Sequence, residues 1–305
     1  MLGIFKRKKI LGEISPITNI FLNIIIGLVA ISAVYPFLLV LMVSFTDEKS
    51  LAINGYKLFP EKFSLEAYRY LLTSTTQLIK SYGVTIFVTV VGTVITVVVT
   101  ALYAYSLSRK EFKYRKFFNL FAFFTTLFSG GLVPFYIVTT KVLGLRDSVW
   151  ALILPMILNF FYIIILRTFF QTAIPESLVE AARIDGASEF QIFFKIIMPL
   201  SLPGLATIGL FSALGFWNDW FNALLFIENE NLIPLQQMLM KLQNNMEFLM
   251  KNATQSGIAT QALSKLPQEG VRMAMVILAT GPIILAYPFF QKYFVQGLTI
   301  GGVKE

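Results

Sequence analysis

The sequence predicts an all-α integral membrane protein with six transmembrane helices. Composition is the first reason. Of 305 residues, 56% are hydrophobic and only 14% charged, with a mean hydropathy of +0.71; a soluble domain lies nearer roughly 45–50% apolar and about 25% charged. The second reason is length: six apolar stretches reach the roughly 20 residues that cross a bilayer, at about 19–45, 81–107, 117–139, 149–170, 202–227 and 274–294. The third is the position of the charge. The net +8 collects at the ends of these stretches, which suits membrane spans better than a nucleic-acid surface. Cysteine and histidine are both absent. Disulfides, Cys/His metal sites and His or Cys catalysis are therefore excluded, and no cofactor or enzymatic role is expected.

Taken in order, the first stretch follows the basic cluster Lys6, Arg7, Lys8 and Lys9, as a signal peptide would. It continues to Phe45, longer than a cleaved signal allows, so it reads as a retained span. The second stretch is rich in Val and Thr and has strand propensity. Its length and the need to satisfy every backbone polar group within lipid make it a helix. Pro36, Pro134, Pro155 and Pro282 fall inside spans as candidate kinks. Arg109, Lys110, Lys113, Arg115 and Lys116 occupy the short connection after span 2, whereas the 140–148 connection has only Lys141 and Arg146. The positive-inside rule then puts both termini, the 108–116 loop and the 171–201 loop in the cytoplasm, with 46–80 and 228–273 outside. The whole chain reads as one membrane domain ending in a cytoplasmic tail, 295–305.

The loop between spans 4 and 5 is punctuated more carefully than a connection requires. Pro175 suits a first helical position, and Glu176 and Glu180 favour the positive end of a helix over about 175–184. Gly186 stands where a left-handed residue ends it. Ser188 and Gln191 form a capping-box pattern opening a second helix, whose Phe190, Phe193, Phe194 and Ile197 share one face. By physics alone the pair fits either an interfacial element on lipid headgroups or a docking element offered to a partner groove.

The stretch "EAARIDGASEFQIFFKIIMPLSLP" resembles the EAA motif of ABC importer permeases, with Glu180, Ala181, Ala182, Asp185 and Gly186 in place and Pro199 at its end. The likeness covers nearly the whole chain. "SGGLVPFYIVTTKVLGLRDSVWALILP", "WNDWFNALLF" and "QKYFVQGLTIGGVKE" are similar to the carbohydrate-uptake branch related to the maltose permease, most of all its LplC/YtcP oligosaccharide type. The resemblance implies a type I importer architecture in the bacterial plasma membrane. It also implies that residues 175–199 form coupling helices seated in a cytoplasmic ATPase, and that the cargo is an oligosaccharide. Its implied partners are two ATP-binding subunits, a second homologous permease and an external substrate-binding protein. No phosphate-binding G-x-x-x-x-G-K-[ST] occurs here, so the ATPase is expected on separate chains.

Polar residues inside spans are the candidate translocation path. Span 5 carries Trp217, Asn218, Asp219, Trp220 and Asn222, and span 4 carries Asn159. An interfacial aromatic belt with a solvated Asp219 accounts for the first group; the alternative is a sugar-lining wall of indoles and hydrogen-bonding groups. On a continuous helix Asn218 and Asn222 share a face, and Trp217 and Trp220 pair. Asn159 either bonds a neighbouring helix or faces the path. Gly209, Ser212, Ala213 and Gly215 make a small-residue surface for close helix packing. In the outer segment, Leu235, Met238, Leu239, Leu242, Met246 and Leu249 have the spacing of an amphipathic helix that could cap the outer mouth. The alternative function, a stand-alone secondary transporter or channel, needs a deep ion-coupling carboxylate or inverted repeats, and neither is visible.

Overall fold

The computed structural model describes residues 15–73, 75–256 and 268–302. The basic cluster at 6–9, the stretch 257–267 and residues 303–305 lie outside them. Among the described residues every regular element is helical, apart from one isolated bridge between Thr46 and Phe63. The chain divides into two compact units. The first holds the described residues up to Tyr70 together with 268–277; the second holds the remainder.

In the first unit, α1 (Pro16–Ser44) opens on Ser15, whose hydroxyl accepts the Thr18 amide at 3.2 Å. Large side chains from Ile17 to Leu38 are exposed along it. An apolar surface of that extent is not stable against water, so it faces lipid or another protein. Near its end Ser44 is buried and shares a 2.8 Å hydrogen bond with the Tyr68 hydroxyl. A short helix, α2 (Glu48–Asn54), stops at Gly55 in the left-handed region. The Glu48 carboxylate accepts the amides of Glu269 and Gly270 at 3.1 and 3.2 Å. It thereby satisfies donors at the first turn of the last helix, Gln268–Gly302.

After α3 (Glu66–Leu72), most of which belongs to the first unit, the second unit is organised around one long helix, α4 (Thr75–Ser108). Phe160–Ala173 and Leu202–Trp217 pack along α4. Association in a bilayer depends on close packing rather than on escape from water, and small residues make that approach possible. A Cβ on Gly92 would stand 2.7 Å from the Phe216 ring, and one on Gly204 would stand 3.0 Å from Phe169. Gly209, Ser212 and Ala213 are buried as their spacing predicts, while Gly215 approaches Met156.

Three expected spans are interrupted rather than continuous. The first becomes α5 (Arg115–Leu127) and α6 (Leu132–Val142), inclined at 115°. Gly131 supplies the left-handed turn between them, and Pro134 lacks an amide with which to extend the earlier helix. The next becomes α7 (Trp150–Met156) and α8 (Phe160–Ala173), inclined at 53°, with Pro155 in a tightened turn and Asn159 extended. After the punctuated loop, whose helices are α9 (Glu176–Ile184) and α10 (Glu189–Leu200), α11 (Leu202–Trp217) sets off at 80° to α10. The helix stops again at Asn218–Trp220 before α12 (Phe221–Phe226). Three described helices are long and apolar enough to cross a membrane, and the spans number up to six if each bent pair counts as one. The amphipathic pattern over 235–249 forms α13 (Leu235–Ser256): Leu235, Met238, Leu239 and Met246 are buried, whereas Leu249 lies outside the described side chains.

Candidate functional site

The segment 175–200 is rigid for reasons legible atom by atom. Pro175 is the N-cap of α9 (φ −59°, ψ 131°), one residue before its expected place inside the helix. At the other end the Ala187 amide reaches the Ala182 carbonyl and the Gly186 amide reaches the Arg183 carbonyl, both at 3.0 Å. That crossed pair is a Schellman ending, with Gly186 at φ +80°. The reciprocal capping box follows: the Ser188 amide donates to Gln191 Oε1 at 2.9 Å and the Gln191 amide to Ser188 Oγ at 3.4 Å.

The pair of helices is welded to the ends of longer ones. Val179, Ile192, Phe193 and Ile197 are buried in one cluster with Leu107 of α4 and Leu166 of α8, against which Ala182 and Ala187 pack. Polar contacts reinforce it. Arg183 bonds Glu111 at 2.8 Å and Glu189 at 2.9 Å, and the Tyr105 hydroxyl donates to Glu189 at 2.6 Å. Lys110 reaches Glu176 at 2.8 Å. The Arg183 guanidinium holds the Glu111 carboxyl below its usual range, and Glu111 in turn raises Arg183.

Glu180, Ala181, Asp185 and Gly186 are exposed, with Ile184 86% exposed beside them. The expected single apolar face on α10 is not what forms. Phe193 and Ile197 are buried with Ile192, but Phe190 and Phe194 are 71% and 54% exposed. A π-helical turn over Phe193–Ile197 widens the helix and shifts its register.

The path candidates separate. Trp217 is buried, and its Nε1 donates to the Ala279 carbonyl at 2.8 Å. Trp220 is partly exposed, edge-on to Phe221 with ring centroids 5.7 Å apart. Because the helix breaks at 218–220, Asn218 and Asn222 do not share a face. Asn218 accepts from Gln236 at 3.2 Å. Asp219 accepts the Asn222 amide at 3.2 Å and its side-chain nitrogen at 3.0 Å, tying the start of α12. Asn159 caps α8, accepting the Phe161 amide at 2.8 Å.

Two features escaped the sequence reading. Asp147, at φ 54°, accepts the amides of Glu228 and Asn229 at 2.6 and 2.8 Å, which holds its carboxyl below the usual range, while Arg146 pairs with Glu228. Asp tolerates the left-handed region, but nothing local announced its distant partners. The second is an open cavity of about 590 Å³ where the break between α5 and α6 meets the start of α12, lined by Ser129, Gly130, Gly131, Phe135 and Phe221 among others. The Gly-Gly pair was its one visible signal.

Residues 104–300 match the family described as binding-protein-dependent transport system inner membrane component. Protein LplC of Bacillus subtilis is 41% identical over 293 residues, 96% of each chain. The polygalacturonan/rhamnogalacturonan transport system permease protein YtcP of the same organism is 41% identical over 90% of this chain and 94% of its own. Among solved structures, a chain of a bacterial ABC transporter involved in import of the acidic polysaccharide alginate superposes with a TM-score of 0.76 at 31% identity, covering 91% of this chain and 96% of that one.

Proposed function

This chain belongs to the family of binding-protein-dependent transport system inner membrane components and is a non-catalytic permease subunit of an ABC importer; we propose that its cargo is an oligosaccharide and that residues 175–199 couple it to the ATPase. It is integral to the bacterial cell membrane and works with ATPase and substrate-binding components. The saccharide reading draws on the relatives' transport of polygalacturonan/rhamnogalacturonan and alginate. We further propose a second homologous permease, two copies of the ATPase, both termini in the cytoplasm, and one transmembrane domain with six spans.

The observation that carries the coupling role is the rigid turn at Gly186. It presents Glu180, Ala181, Ile184 and Asp185 outward while the buried side of the same helices is fused to α4 and α8. Ala182 belongs to that buried side. A push on the exposed side therefore moves the ends of the spans instead of bending the loop. ATP-driven closure of the ATPase then opens the path outward, and hydrolysis returns it inward, with the cargo contributing through unequal affinity for the two states. For the path we propose Asn159, Trp217, Asn218, Asp219, Trp220 and Asn222, as lining or as the supports of its lining.

The test is a mild-detergent pull-down of the chain from its native membrane beside a Gly186→Trp variant that still inserts. Wild type retains an ATPase and a second permease, and the variant loses the ATPase alone. A wild-type chain that comes alone and still moves solute overturns the reading.

A further inference from the structure

The break after α5 borders the open cavity that includes Ser129, Gly130 and Gly131, and Phe221, the first helical residue after the break that follows α11, lines it as well. α5 has 13 residues and α11 has 16, so each break lies about 20–24 Å along its span, past the middle of a hydrocarbon layer of roughly 30 Å. Among the described residues, the amides of Ser129 and Gly130 and the carbonyls of Phe128, Ser129 and Gly130 have no partner, while the Ser129 hydroxyl accepts the Gly131 amide at 3.2 Å. Non-helical backbone at that depth persists only where it is covered by protein or lines a wet cavity.

We propose that this cavity is a subsite for one uncharged sugar ring of the cargo in transit. The proposal rests on the importer reading and adds a place and a charge class to it. The free backbone groups of Ser129 and Gly130, both lining the cavity, offer two donors and two acceptors, which suits hydroxyls, since each both gives and accepts a hydrogen bond. Phe221, 42% exposed, and the half-buried Phe135 supply apolar ring faces beside them. That mixture of aromatic wall and few polar groups is how concave sites orient a small ligand. No charged side chain lines the cavity. No Lys or Arg among the described residues lines the cavity, so nothing there pairs the carboxylate of a uronate ring.

The chain contains no cysteine, so an introduced one is its sole thiol. Gly130→Cys fits, because a Cβ there meets only Pro134, at 3.5 Å; Ser129→Cys is a second reporter should the first disturb assembly. The assembled importer in proteoliposomes is treated with a glucosyl, a sulfonatoethyl or a benzyl methanethiosulfonate. Modification of this chain is followed by mass, each rate being normalised to free cysteine. The glucosyl reagent is expected to react about tenfold faster than either other reagent, and Phe221→Ala removes that preference without changing the sulfonatoethyl rate. A faster sulfonate overturns the charge class, a faster benzyl reagent makes the surface a lipid face, and no reaction at either cysteine means protein covers it; each result rejects the subsite. The pull-down separates this from the importer reading: ATPase retained without sugar preference removes the subsite alone.

Discussion

Arg183 illustrates how one side chain ties a loop to a span. It bridges Glu111, beyond the end of α4, and Glu189, on α10. Glu111 is depressed chiefly by the Arg183 hydrogen bond. Its contribution is therefore complete above the carboxyl's unfolded value and disappears as pH falls through the lower folded one. Both partners are solvated, so the effect is small, under about 1 kcal/mol. The expected outcome is that hydrogen exchange over 176–192, expressed as protection relative to the intrinsic rate at each pH, loses protection as the pH drops into the carboxylate range, and that Glu111→Gln flattens this dependence. Identical profiles for the two proteins would refute it. At the same scale, Asn159 spends its side-chain oxygen on capping its own helix, not on a bond to a neighbouring one. Asp219 and Asn222 answer each other, because the backbone between them leaves the helix.

Among elements, α4 is the axis of its unit, and one glycine governs its fit. The Phe216 ring lies where a side chain on Gly92 would project, at 2.7 Å from the ideal Cβ. Gly92→Val should destabilise the unit by about 1–3 kcal/mol, the ordinary cost of overpacking. Thermal unfolding in detergent checks it, and a companion Phe216→Leu should recover part of the loss. An unshifted midpoint for Gly92→Val means that these helices are not packed so closely. The interrupted helices follow a shared logic. Gly131, Pro155 and the Asn218–Trp220 turn each release backbone from a span, and released backbone in lipid needs polar company. The π turn in α10 is a different departure: Phe193 and Ile197 are buried while Phe190 and Phe194 stay exposed, so the four do not share the one face that regular spacing gives them.

For the molecule as a whole, the exposed apolar length of α1 and the exposed rings of α5 describe a chain finished by lipid and partner proteins. The last helix continues to Gly302, so residues 295–302 of the expected cytoplasmic tail prolong it, and we propose that this extension takes part in coupling to the ATPase. Deleting residues 296–305 should lower ATP-coupled uptake with membrane insertion unchanged, measured in proteoliposomes and by membrane fractionation. Full uptake by the truncated protein would remove the tail from the coupling mechanism.

Composition and span length were enough for the helical membrane class, and the spacing of Gly186, Ser188 and Gln191 for the two-helix segment, because caps and glycine turns are local and their partners lie within a few residues. The resemblance of the EAA stretch supplied the importer. Where spans break, which face of α10 is buried, and what Asp147 holds were decided only in three dimensions. Hydropathy counts apolar residues and is blind to whether the backbone through Phe128–Gly131 or Asn218–Trp220 stays helical. That choice depends on neighbours far along the chain: Phe221 beside Gly130, Gln236 beside Asn218, and the amides of Glu228 and Asn229 beside Asp147.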